Sequence, residues 1–141
     1  KYTGILLHER QTEHSVLFDA SLRPNEEQAA GIADMIIAFC GENGVTGKSA
    51  DYAGILAEET VEHIRLFNGG EKQPRIDLIC RITDAEIILS VRDDGEAFDP
   101  ATVEDTEEEF TNLKMIKTLA DKVSYTRALG LNNMLIKIGR K

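Results

Sequence analysis

The chain has 141 residues, of which 42% are hydrophobic and 29% are charged, a composition typical of one globular domain with a buried core. Its net charge of -9 at pH 7 disfavours nucleic acid and anionic lipid surfaces as ligands, because like charges repel each other. No apolar run approaches the roughly 18 residues that a membrane-spanning helix needs. We therefore predict one domain over residues 1-141, without nucleic-acid binding or membrane contact.

The first half of the chain predicts two strands followed by two helices. Apolar residues cluster at 2–7 and alternate at 15–22, as half-buried strands do. Pro24 and Asn25 then mark a helix start, and a second helix is predicted at about 51–67, ending in an Asn-Gly-Gly sequence. A short strand layer and a helical layer are thus expected from this half.

The second half predicts two hairpins and one helix. The predicted segments are strands at 76–82 and 87–91, a helix at 111–120, and strands at 122–128 and 133–138. Residues 94–109 are acidic and have almost no apolar content, which predicts a loop or lid. Since strands outnumber helices and pair through tight turns, we predict an α+β fold. The expected form is a two-layer α/β sandwich, with a mixed, mostly antiparallel sheet and about three helices on one face.

The two cysteines are expected to be structural. Cys40 and Cys80 each lie alone inside an apolar segment, which favours reduced, buried thiols over a disulfide or a CxxC metal site. A reducing compartment, and hence a cytoplasmic location, is the corresponding expectation.

Four residues stand out because they place polar or flexible groups beside apolar surfaces. Glu59 and His63 are four residues apart, so they share one helix face, either as a surface ion pair or as part of a site. Asp93 continues the alternation of the preceding strand and therefore points to its buried side. It can accept hydrogen bonds from loop amides or from the exocyclic amine of a ligand base. Gly95 allows either a tight turn or a close approach to a ligand.

A motif at the end of the predicted hairpin resembles one found in a known family. Asp93, Gly95, Phe98, Asp99 and Pro100 resemble the Asp-x-Gly-x-Gly-Phe-Asp-Pro box of the anti-sigma-factor serine/threonine kinases. That family belongs to the ATPase superfamily of gyrase, histidine kinases, heat-shock chaperones and mismatch-repair proteins, which share the Bergerat fold.

Other motifs follow in the same order as in that family. Glu59 and His63 fall where the family carries Glu-x-x-x-Asn on a helix. The closing strands also look alike, with Gly130 and Asn133 assigned to the turn between them. The resemblance covers about residues 15–141. It implies the histidine-kinase-like ATPase fold for this part of the chain.

The resemblance also implies a ligand and a set of site residues. ATP or ADP with Mg²⁺ would lie between the Glu-bearing helix and the lid, with Asp93 on the adenine amine and Gly95 bordering the base. Glu59 would act as the catalytic base on the hydroxyl of a protein serine. The implied nucleotide-binding positions are Asp93, Gly95, Ala97, Asn112, Lys114 and Asn133.

Several positions depart from the family pattern at the phosphate end. His63 replaces the Asn that holds magnesium, although magnesium prefers oxygen ligands and imidazole suits zinc, copper or iron. Ala97 replaces the last glycine of the Asp-Gly box, and Phe110 and Asn112 replace both lid glycines. His63 is thus the candidate metal ligand, and an altered phosphate site is expected.

Three functions follow from this pattern. The first is an ATP-binding regulatory domain in bacterial signalling, with nucleotide-dependent binding of a protein partner such as a sigma factor or an anti-sigma antagonist, and with or without kinase activity. The alternative is a degenerate pseudokinase that docks a partner without ATP turnover. A metal-dependent enzyme using Glu59 and His63 lacks a third ligand at suitable spacing. We expect the domain to be part of a longer regulatory protein, and a homodimer is left open.

Overall fold

The computed structural model describes residues 15–23, 25–69, 73–98 and 111–140. The elements in chain order are β1 (Val16–Leu22), α1 (Glu26–Glu42), α2 (Lys48–Asn68), β2 (Ile76–Ile82), β3 (Glu86–Asp93), α3 (Thr111–Leu119), β4 (Lys122–Ala128) and β5 (Leu131–Gly139). The strand predicted at 2–7 and the part of the predicted lid beyond residue 98 lie outside the described residues.

The five strands form one open sheet in the order β1-β2-β3-β5-β4. Every neighbouring pair of described strands is antiparallel. With three helices against it, this sheet confirms the predicted α+β fold and is consistent with a two-layer α/β sandwich. The parallel component that a mixed sheet would contain is not found among the described strands.

Local sequence explains how the helices begin and end. The side chain of Asn25 caps α1 by accepting a 2.8 Å hydrogen bond from the backbone N–H of Gln28. At the other end of α1, Gly44 has a φ of 80°, a left-handed value that glycine adopts without steric cost. Helix α2 begins at Lys48, three residues earlier than predicted, and ends at Asn68.

The core lies between the helices and one face of the sheet. Along β3 and β5, alternate residues are buried, as expected for central strands with one covered face. Cys40 on α1 and Cys80 on β2 are both free and completely buried. The largest fully buried side chains are Ile36, Leu56, Ile64, Ile76, Leu78, Ile87, Leu89, Ile116, Ile136, Val61 and Val91.

The final hairpin has a shorter turn than the sequence predicted. Leu129 and Gly130 have φ values of 55° and 76°, which are typical of a two-residue turn that matches the twist of the flanking strands. Strand β5 therefore begins at Leu131 rather than at Asn133. The assignment of Asn133 to the turn was wrong, and this changes which asparagine faces the helices.

Within the described residues, no helix combines the length and apolar character needed to cross a membrane.

Candidate functional site

Asp93 is the last residue of β3 and lies on the face of the sheet that the helices cover. Its side chain is 2% exposed, as the alternation along the strand predicted. Burial raises the pKa of the Asp93 carboxyl, while hydrogen bonds from Asn132 and from the Gly95 backbone lower it. A buried carboxyl with donors placed around it can act as a hydrogen-bond acceptor in a ligand site.

The hydrogen bonds that reach the Asp93 carboxyl from the described residues all end on one oxygen. Oδ1 accepts from the backbone N–H of Gly95 at 2.9 Å and from Nδ2 of Asn132 at 3.0 Å. Both partners hold the carboxyl in one orientation. Asp93 therefore has the internal partners expected of a structural residue, and it also keeps a second oxygen for other contacts.

Asn132 is a site residue that sequence reasoning missed. It is 1% exposed and sits opposite Asp93 in the β3–β5 ladder. The alternation of buried residues Met134, Ile136 and Ile138 along β5 extends back to position 132, which could have identified it. Because the strand was predicted to begin at residue 133, position 132 was not counted in its alternation.

Asn133 lies on the opposite face of the sheet from Asp93. Its Oδ1 accepts a 2.9 Å hydrogen bond from Nε of Arg92, whose side chain is exposed. Because successive side chains of a strand point to opposite faces, Asn132 and Asn133 cannot both approach Asp93. The structure therefore does not bring Asn133 to the site in which it was predicted.

The loop after β3 is attached to the C-terminal end of α2 by Asn68. The Nδ2 group of Asn68 donates to the Ile64 carbonyl at 2.7 Å, and its Oδ1 accepts from the backbone N–H of Glu96 at 2.8 Å. A Cβ atom on Gly95 would lie 2.4 Å from this Oδ1. Gly95 is therefore needed for packing against Asn68, in addition to any contact with a ligand.

His63 is packed among aromatic rings. Its ring centroid lies 4.7 Å from that of Phe98 in an edge-on arrangement and 5.7 Å from that of Phe67 in a stacked one. His63 is 4% exposed, and burial lowers its pKa from 6.5 to about 4. The imidazole is therefore neutral near pH 7.

Ring contacts join the aromatic surroundings of His63 to the hydrogen bonds around Asp93. Phe98 also packs on Tyr125, with ring centroids 5.6 Å apart, and the hydroxyl of Tyr125 donates to Oδ1 of Asn132 at 2.5 Å. A continuous series of contacts thus runs from His63 on α2 through Phe98 and Tyr125 to Asn132 and Asp93. The structure brings together His63, Asp93 and Gly95 from the predicted set.

Comparison with known proteins leaves the family of this chain unassigned. Neither a protein-family model nor a curated protein matches it. The contacts described here are therefore what defines the candidate site.

Glu59 lies one turn before His63 on α2 and is half-buried. Its surroundings on the helix are acidic. Burial and then the neighbouring carboxylates of Glu59, Glu62 and Asp34 raise the pKa of Glu58. A nucleotide phosphate beside this group of carboxylates would meet negative charge.

The remaining predicted positions lie at the edge of the described region or beyond it. Ala97 is exposed in the loop after β3, and Lys114 is exposed on α3. The side chain of Asn112, together with Phe110 and Asp99, lies outside what the structure describes. Their predicted roles in nucleotide binding stay predictions.

The residues present do not suit a magnesium ion. A hard cation takes oxygen ligands in octahedral geometry, whereas His63 offers a buried nitrogen between aromatic rings. Among the described residues, no three His, Cys, Asp or Glu side chains are grouped to hold a metal ion.

An open cavity of about 480 Å³ borders the same loop at Gly95 and Glu96. Among the described residues that line it, two arginines, Arg23 and Arg127, balance the charge of Asp94 and Glu96. Asp93, Glu59 and His63 do not line it. This cavity is thus separate from the carboxyl that the resemblance assigns to base recognition.

Proposed function

We propose that this domain binds an adenine nucleotide and uses it to control the binding of a protein partner, as its resemblance to anti-sigma kinases implies. The observation that carries the proposal is the arrangement of the Asp93 carboxyl. Its Oδ1 receives both hydrogen bonds donated by described residues, from Gly95 and Asn132. Oδ2 is thus the acceptor that can meet the exocyclic amino group of adenine.

The surroundings of Asp93 support a flat, weakly polar ligand such as a purine base. The polar end formed by Asp93 and Asn132 is followed by the rings of Tyr125 and Phe98. Sites for small molecules typically combine a few directed polar groups with apolar and aromatic surface.

The proposed function does not include phosphoryl transfer. Catalysis of this reaction depends on cations that offset the charge on the phosphate oxygens. The candidate metal ligand His63 is buried against the rings of Phe67 and Phe98. The neighbouring carboxylates of Glu59, Glu62 and Asp34 contribute to the raised pKa of Glu58, so the charge near Glu59 is negative. We therefore propose regulation by nucleotide binding rather than kinase activity.

The test is nucleotide binding by the wild-type domain and the Asp93→Asn variant. Because two donors hold Oδ1, the new amide would keep its oxygen on those donors and turn its NH₂ group toward the ligand. We expect ADP binding, measured by isothermal titration calorimetry, to weaken at least about tenfold in this variant. Inosine diphosphate, which carries an oxygen in place of the amino group, should bind the variant more tightly than ADP does. Failure of the wild-type domain to bind ADP at millimolar concentration would overturn the proposal.

A pseudokinase that docks its partner without nucleotide is the second candidate. The tight packing of His63, Phe67 and Phe98 favours it, because these rings fill space beside α2. The two candidates differ in one measurable quantity, the affinity for a sigma factor or an anti-sigma antagonist with and without ADP. Nucleotide control predicts that ADP changes this affinity, whereas the pseudokinase predicts equal affinities.

A further inference from the structure

Strands β1 and β4 form the two edges of the described sheet. Along β4, every residue from Lys122 to Ala128 pairs with β5 in an unbroken antiparallel register. Among the described residues, no backbone hydrogen bond reaches β4 from its other side. The outward N–H and C=O groups of alternate residues in this seven-residue strand can therefore pair with a further strand.

The centre of β4 lacks the features that usually protect an edge strand. Native edges are commonly shielded by a charged side chain within the strand, by a proline or by a bulge. In β4 the four residues 123–126 are Val, Ser, Tyr and Thr, and the two charged residues lie near the ends. The opposite edge differs, because β1 carries Asp19 at its centre. The edge of β4 is thus the one that suits strand addition.

The surface next to this edge is basic, although the chain as a whole is acidic. Residues 111–141 contain seven lysines and arginines and one acidic residue, Asp121, whereas the rest of the chain contains nine and 24. Lys114 and Lys117 are exposed on α3. Only two residues separate α3 from β4, whose first residue, Lys122, is exposed as well. Within the described part of the chain, none of these three lysines forms an ion pair.

One of these lysines is placed where the sheet alone does not favour it. Lys122 lies directly opposite Lys137 in the β4–β5 ladder, and like charges in such a pair repel each other. The Nζ atom of Lys137 is 3.9 Å from Oε2 of Glu86, but Glu86 belongs to β3, on the side of β5 away from β4. A negative group beyond β4 would offset the charge of Lys122.

We propose that the free edge of β4 binds an extended acidic segment of a partner protein as an additional strand. Backbone hydrogen bonds to β4 provide the pairing, and carboxylates near Lys117 and Lys122 select the segment. In the antiparallel orientation of every described pair, these carboxylates lie at the C-terminal end of the segment, because β4 begins at Lys122. Apolar residues at every second position of the segment continue the side on which Val123 and Tyr125 are half-buried.

A second copy of this chain suits the edge less well than an acidic segment. Strand β4 contains two cationic residues and no acidic one. Two copies paired through β4 would therefore bring like charges to one interface, without a carboxylate from either strand to offset them.

This surface is separate from the proposed nucleotide site. Lys122 lies at the opposite end of β4 from Arg127, whose NH1 donates to Oδ1 of Asn132 beside Asp93. The net charge of -9 acts weakly on the segment, because charges more than about 8 Å away are largely screened at physiological salt. The inference does not depend on nucleotide binding, so the failure of either proposal leaves the other intact.

The first experiment measures whether charge selects the segment. A fluorescein-labelled peptide, Thr-Val-Thr-Val-Thr-Glu-Glu, is titrated with the full chain without nucleotide, and binding is followed by fluorescence anisotropy. We expect Lys122→Glu to weaken binding at least about fivefold, and a peptide with Lys in place of both Glu residues to bind at least about tenfold more weakly.

Arg81→Glu is the matched control for the charge reversal. Arg81 is exposed on β2, three strands away from β4, and its replacement changes the net charge by the same amount. The affinity for the peptide should change less than about twofold. Both variants keep the acidic residues at 104–109, which lie outside the described part, so the comparison isolates the position of the exchanged cation.

Two N-methylated peptides test whether the segment adds as a strand. One carries methyl groups on the odd-numbered backbone nitrogens and the other on the even-numbered ones, so each blocks the N–H groups on one side of the peptide. Pairing along a single edge predicts that one pattern abolishes binding and the other preserves it. Equal affinities for the two patterns, an unchanged affinity in Lys122→Glu, or no binding by the wild type would overturn the proposal. A dimer that excludes the peptide would also overturn it, because it would assign the edge to a second copy.

Discussion

The two ends of the candidate site are both buried, yet they are held together by different forces. At the polar end, Asp93, Asn132 and Arg127 form directed hydrogen bonds within a few ångströms. At the aromatic end, His63 and Phe98 pack ring against ring. Directed bonds preserve the position of an acceptor, whereas ring packing holds side chains together without fixing the direction of a polar group. In the proposed function, base recognition therefore belongs to the polar end and is separable from any metal-dependent chemistry at the aromatic end.

The largest expected effect on stability comes from removing the Phe98 ring from the aromatic end. Phe98→Ala removes a ring that is 6% exposed and contacts His63, Phe67 and Tyr125. We expect a loss of about 3 to 4 kcal/mol in the free energy of unfolding, measured with urea. Phe67→Ala is the control, since Phe67 is 38% exposed and should cost about 1 kcal/mol. Equal losses for the two variants would show that Phe98 is not the centre of this cluster.

The pH dependence of stability tests the neutral state assigned to His63. Its pKa is 6.5 when unfolded and about 4 when folded, so both states are neutral above pH 6.5. Below that pH the imidazole of His63 is protonated in the unfolded state but not in the folded state. The free energy of unfolding therefore falls as the pH is lowered to about 4. We expect a loss of about 2 to 3 kcal/mol across this range.

His63→Leu supplies the control for this prediction. The burial-raised pKa values of Asp93 and Glu58 act with the opposite sign, because raised carboxyl values favour the folded state as the pH falls. The free energy of unfolding is plotted against pH for the wild type and the variant, and the difference between the two curves isolates the contribution of His63. Parallel curves over the whole range would contradict a buried, neutral imidazole.

A smaller effect is expected where the loop of the polar end meets α2. Gly95→Ala places a methyl group 2.4 Å from Oδ1 of Asn68, so the loop or the side chain must shift. We expect a cost of about 1 to 2 kcal/mol in thermal or urea unfolding. In the Asn68→Ala background the same substitution should cost much less, because the obstructing side chain is gone. Additive costs would mean that Gly95 is required for another reason.

Hydropathy patterning predicted most of the fold because it reports which face of each strand is covered. The hairpin of β2 and β3 and the buried direction of Asp93 followed from alternation alone. The final turn was harder, because Leu129 adopts a left-handed φ that its residue type does not announce. The predicted start of β5 was therefore two residues too late, at Asn133 instead of Leu131.

Contacts between distant segments account for the rest of what the sequence did not reveal. Asn68 and Glu96 are 28 residues apart in sequence and meet only because α2 ends beside the end of β3. In the same way, Phe98 reaches His63 across the helix–loop interface. Spacing along the chain carries no information about such pairs. Only the structure could therefore show that Gly95 packs closely against Asn68 and that aromatic rings surround His63.

The separation of the two ends is tested most directly by ADP binding with and without magnesium. The measurement is the melting temperature of the domain with millimolar ADP, once in excess EDTA and once in excess Mg²⁺. Because the proposed function assigns recognition of the nucleotide to the polar end and no metal ion to His63, we predict an increase of equal size in both conditions. An increase that occurs only with Mg²⁺ would place metal binding at the centre of the site and contradict the separation of the two ends.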